Sequence, residues 1–143
     1  MRTASIASWS AALAVAWTCT ASAEAPAAKA QTATQFYVAY RAKFDKATKI
    51  EDLTPYMAAK NIKEMEAQPK ADRDKMFGLM KLLGSISDLK VTKEEPKPDG
   101  SVILTAEGLS PSLSDANKKE KQSGKITIIK EGGAWKIGEE SWH

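Results

Sequence analysis

Cysteine and histidine are almost missing from this 143-residue sequence, which has one of each, Cys19 and His143. One cysteine allows no disulfide within the chain, and no cysteine-ligated metal site is expected because Cys19 falls within an amino-terminal export pattern that cleavage would remove. A serine–histidine–aspartate triad would need His143, which stands at the end of the sequence, where fraying is the expectation. Charge of one sign is also lacking. The formal net charge is +3, with 21 basic and 18 acidic residues, so no clustered basic face for nucleic acid is expected. No cofactor motif and no metal-ligand spacing is legible, and no catalytic residue can be assigned.

What is present begins with an export pattern. Arg2 is followed by the uncharged run Ile6–Trp17, no acidic residue precedes Glu24, and Ala21-Ser22-Ala23 fits a small-residue cleavage site. Residues 1–23 are therefore expected to be a cleavable signal, and the remainder an exported, periplasmic or secreted domain. The run is too short and too rich in alanine and serine to span a bilayer, so no stable membrane insertion is expected. Lipid attachment at Cys19 is the alternative, and Ala16-Trp17-Thr18 argues against it. Residues 24–33, rich in small and polar groups, are expected to form a flexible leader.

From Thr34 onward the periodicity is helical. Phe36, Tyr40 and Phe44 make an aromatic stripe, with Tyr37 beside it and Arg41, Lys43, Asp45 and Lys46 elsewhere around the helix. A second helix is expected from Thr54-Pro55, threonine as cap and proline in the first turn, ending before Pro69. A third carries Asp72 and Asp74 early, an apolar face of Met76, Phe77, Met80 and Leu83, and Gly84 as its stop. The period then falls to two. Strands are expected around Leu89–Val91, Val102–Ala106, Lys119–Lys130 and Trp135–Trp142, with turns at Pro96–Gly100 and Glu131–Ala134 and a loop containing Pro111. Short connections favour an antiparallel meander. The fold class is α+β, a single domain over residues 34–143 with three helices on one face of a four-stranded sheet.

The ending Gly132-Gly133-Ala134-Trp135-Lys136-Ile137, followed by Glu140-Ser141-Trp142 and preceded by helices, resembles the nuclear transport factor 2-like superfamily. The resemblance covers Thr34 to His143. It implies a curved sheet and a pocket between helix and sheet. In the superfamily's isomerases and cyclases that pocket holds a tyrosine with a carboxylate or histidine, and other members are exported and non-catalytic. No local motif carries a catalytic residue onto this chain.

Glu107, Glu139 and Glu140 lie on strands, where alternating charge is expected to face solvent rather than a pocket. Met76 and Met80 stand one helical turn apart, a spacing that suits Cu(I), but without a nearby histidine they are expected to fill the core. Lys118, Lys119, Lys121 and Lys125 are expected to protect a sheet edge rather than to meet an anionic surface. The aromatics are the candidate binding residues: Phe36, Tyr40, Trp135 and Trp142. Seven positions separate the two tryptophans, so an unbroken strand would put them on opposite faces, Trp135 in the core and Trp142 exposed as an anchor. The expected role is non-catalytic binding of a small apolar ligand or a protein partner, as in an inhibitor or immunity protein. The alternative is an isomerase- or cyclase-like enzyme.

Overall fold

A computed structural model describes residues 30–115 and 117–143, so the expected signal, Cys19 and most of the expected leader lie outside the described residues. The leader's last residues belong to the fold. Thr32 accepts from the Gln35 N–H at 3.1 Å and donates its own N–H to the Gln35 side chain, a reciprocal cap that starts α1 (Ala33–Lys46) one residue early and buries Ala33. Phe36, Tyr37, Tyr40 and Phe44 pack inward. Arg41 is also buried, contrary to its expected place on the solvent side, because it follows Tyr37 by one turn and finds two acceptors below the helix.

The second helix does not start at Thr54. Ile50–Tyr56 is a 3-10 helix, and Thr54 donates its hydroxyl to the Glu51 carbonyl inside it. The chain then extends for a residue. Met57 bridges Ile137 in parallel, and the Ala58 N–H reaches the Ile137 carbonyl at 3.0 Å. These bonds interrupt the helical run, and α2 spans only Ala59–Glu66. The third helix, α3, runs Lys70–Leu83 and stops at Gly84 as expected.

The strands β1 (Ser87–Pro96), β2 (Val102–Pro111), β3 (Lys119–Glu131) and β4 (Ala134–Trp142) pair antiparallel in the order β1-β2-β3-β4. The sheet is an open meander with the helices on one face, so the expected α+β class holds. Gly132 and Gly133 both have positive φ, 58° and 79°, which the tight β3–β4 turn requires and side chains oppose. Alternation along β2 and β3 sends Val102, Leu104, Ala106, Ile126 and Ile128 into the core beneath α1. β3 is an interior strand, not an edge. Only its start, where Lys119 and Lys121 pair with β2, runs beyond the segment paired to β4, so the lysine run protects an edge there alone.

β4 carries the consequential irregularity. Ile137 pairs with Ile128 while Glu139 pairs with Thr127, leaving Gly138 as an extra residue. A bulge of one residue reverses the alternation beyond it. Trp135 and Ile137 before it, and Glu140 and Trp142 after it, therefore share the helix-facing side. The expected opposition of the two tryptophans is thereby overturned, and both are partly buried against the core. Asn61 of α2 holds the bulge, donating to the Ile137 and Gly138 carbonyls at 3.2 and 3.0 Å.

Candidate functional site

Glu140 is the side chain that the bulge turns inward, against the expectation of a solvated strand face. Its Oε1 accepts from the Tyr37 hydroxyl at 2.6 Å, from Arg41 at 3.1 Å and from the Trp142 indole N–H at 2.9 Å. Arg41 also donates to the Gly84 carbonyl and lies 4.7 Å from the centre of the Phe44 ring. Side-chain exposures of 7% for Arg41 and 15% for Glu140 make this a largely desolvated ion pair, tenable because each member has further hydrogen bonds. Burial, then the Glu140 charge and hydrogen bond, push the Tyr37 phenol above its ordinary range; burial and Glu140 do the same to Tyr40. Both phenols stay protonated at neutral pH.

Above this floor opens a cleft of about 440 Å³. Its inner wall is Tyr40 and Phe44 of α1, Leu53 of the 3-10 helix, and Ile137 and Trp142 of β4. Its outer wall is α3. Only Phe77 of that helix is buried, edge-on to Phe44 with ring centres 6.4 Å apart. Lys81 tethers the helix to the Phe44 and Asp45 carbonyls, both at 2.7 Å. Met76, Leu79, Met80 and Leu83, which recur at helical spacing on the adjoining stripe, line the cleft and remain exposed. The expectation that Met76 and Met80 fill the core is therefore corrected: α3 stands off the sheet, and its stripe, Leu83 included, faces the opening.

Of the four aromatics singled out from the sequence, Tyr40 and Trp142 line this cleft and Phe36 and Trp135 do not. Phe36 is core, 5.9 Å from the Tyr56 ring. Trp135 donates its indole N–H to the Gln31 carbonyl at 2.7 Å and carries the Lys130 ammonium over its ring at 4.5 Å. Sequence reasoning missed Arg41, Glu140 and the apolar stripe as one site. The signal available for Glu140 was Gly138, since a glycine within a strand marks a bulge.

A second groove, about 480 Å³, passes Asp88, Lys90, Glu107, Lys121 and His143, all exposed charged or polar groups of mixed sign. His143 is not frayed: its N–H and carbonyl both pair with Ser123, at 3.0 and 2.8 Å. Among the described residues no three histidine, aspartate or glutamate side chains cluster as metal ligands, and no helix is long and apolar enough to cross a membrane.

No protein-family model matches the sequence, and no curated protein does. Among solved structures the chain is similar to the intermembrane space region of the chloroplast protein ARC6, at 16% identity over 82% of this chain and 98% of that one, with a TM-score of 0.37. A likeness at that level carries no argument about fold or function.

Proposed function

We propose that this domain is a non-catalytic binding protein that holds a small apolar ligand in the cleft between α3 and β4. The observation that carries the reading is the α3 stripe. Four large apolar side chains stand exposed on the wall of a cleft whose volume falls in the range of small-molecule sites. Covering them would remove apolar surface from water, at about 25 cal/mol per Å². Glu140 is the carboxylate that an isomerase or cyclase would need, but three donors already occupy Oε1, and we assign it to anchoring rather than proton transfer. A cleft between helix and sheet is also what the nuclear transport factor 2-like resemblance implies for a non-catalytic member. The amino-terminal export pattern supports a role outside the cytoplasm.

The test is titration with N-phenyl-1-naphthylamine, an uncharged dye that fluoresces in apolar surroundings. Saturable binding is expected, weakened about tenfold or more by Leu79→Glu, with the urea midpoint little changed because Leu79 is 55% exposed. Absence of saturable binding, or equal binding by the variant, contradicts the proposal. A protein partner is the second reading, favoured by Leu82, which is 71% exposed and outside the cleft lining. Leu82→Ser separates the two, since dye binding survives it and partner binding does not.

A further inference from the structure

The cleft reaches the free edge of β4. Adjacent residues of a strand face opposite sides, yet Glu139 and Glu140 both line it, so the opening wraps around the strand's rim. β4 is the last strand of the sheet, with β3 as its single strand neighbour. His143 and Ser123 exchange both backbone hydrogen bonds, at 3.0 and 2.8 Å. Antiparallel alternation from that pair makes Ser141–Lys125 and Glu139–Thr127 the bonded pairs as well. It turns the N–H and C=O groups of Glu140 and Trp142 away from β3, to the edge. Before the bulge the chain fills this edge itself: Met57 bridges Ile137 in parallel, and Ala58 and Asn61 take the Ile137 and Gly138 carbonyls. Past Gly138 no backbone group among the described residues continues that pairing. The edge groups of Glu140 and Trp142 thus open onto a cleft whose outer wall is the apolar α3 stripe. A hydrocarbon chain there would cover these groups without pairing them, whereas an extended peptide brings complementary N–H and C=O groups.

We infer that the ligand of this cleft is an extended apolar peptide segment of another protein, added to the sheet as a fifth strand along Glu140–Trp142. The inference rests on the apolar-cleft reading above and names its ligand class. It continues an arrangement already in the fold, since Met57 and Ala58 make such an addition at Ile137. A strand in that place has a fixed side-chain pattern. Residues opposite Glu140 and Trp142 share their helix-facing side and meet the stripe, while the residue between them shares the side of Ser141 and faces solvent. The recognised pattern is therefore apolar–polar–apolar, with main-chain bonds supplying affinity.

The experiment is displacement of N-phenyl-1-naphthylamine from the full chain by the blocked peptide acetyl-Leu-Thr-Leu-Thr-Leu-amide and two N-methylated forms of it. One form is methylated at the leucine nitrogens, the other at the threonine nitrogens. In a strand these two sets of N–H groups point to opposite edges, so one set faces β4 and the other solvent. The parent is expected to displace the dye. One methylated form should need about tenfold or more higher concentration, having lost its donors to β4, and the other should match the parent within about twofold. Equal potency of all three, or equal loss in both methylated forms, overturns strand addition while the apolar cleft stands. So does a parent peptide that fails to displace bound dye. Sedimentation of the free chain is expected to show a monomer. A dimer that the peptide does not dissociate overturns the assignment by giving the edge to a second copy. If the dye itself does not bind, both readings fall.

Discussion

Arg41 and Glu140 are close in the fold, far apart in the sequence, and nearly shut off from water, so each depends on the other. Removing one member of such a pair leaves an uncompensated charge. Arg41→Ala should therefore cost about 3–5 kcal/mol of stability in urea melts, assuming two-state unfolding. Replacing both together, Arg41→Met with Glu140→Leu, should cost less than Arg41→Ala alone, because no orphan charge remains. A double variant as unstable as the single would show that the pair's other hydrogen bonds dominate. The tyrosines add a pH dependence of known sign. Their folded-state pKa values are raised above the unfolded value of about 10, so the folded protein holds protons that the unfolded chain releases. This contribution is fully present below pH 10 and is lost as pH rises above it. Two such groups give a slope of up to about 2.7 kcal/mol per pH unit, and Tyr37→Phe should roughly halve it. Both tryptophans now stand on the core side. Trp135→Ala and Trp142→Ala should each lose about 2–4 kcal/mol, somewhat below the range for fully buried rings. A loss confined to Trp135 would restore the opposed-face arrangement that plain alternation implies.

At the scale of elements, β4 and α3 are where sequence and structure part. Helix α1, the four strands and the Gly132-Gly133 turn are legible because each depends on local signals: period, caps and positive φ. The bulge at Gly138 is a pairing property of two strands, and a single glycine within Ala134–Trp142 hints at it without settling its direction. The α3 stripe has the same pattern as a buried helical face. What separates them is distance from the sheet, which local periodicity does not contain. The early start of α1 has a local signal too, the capping pair Thr32 and Gln35 three residues apart, set among small residues that mask it. The packing of β4 yields its own prediction. A Cβ at Gly124 would come within 2.7–2.8 Å of the Trp142 ring across the strand pair. Gly124→Ala should therefore push that ring from its seat, shift its fluorescence and cost about 1–3 kcal/mol by overpacking. An unchanged emission spectrum would mean that the ring is not held where β3 and β4 place it.

For the whole molecule, the helices and sheet close a core on one side of α1 and leave a wedge on the other, between α3 and the end of β4. The core uses Tyr37, Leu53, Leu104, Ile126 and Ile128, all fully buried, and none of the α3 stripe. Leu53, with Tyr40 and Phe44, serves both the core and the inner wall of the cleft, whereas the α3 stripe belongs to the cleft alone, so substitutions in the stripe should alter the proposed binding with little effect on folding. The most direct test is methyl NMR of a methionine- and leucine-labelled sample titrated with N-phenyl-1-naphthylamine. The account predicts that Met76, Met80, Leu79 and Leu83 shift along one common binding curve. Buried Leu104 and Met65 should stay in place. So should Leu113, 88% exposed and away from the cleft lining. Shifts spread equally over Leu113 and the stripe, or confined to residues outside the stripe, would contradict a defined site between α3 and β4.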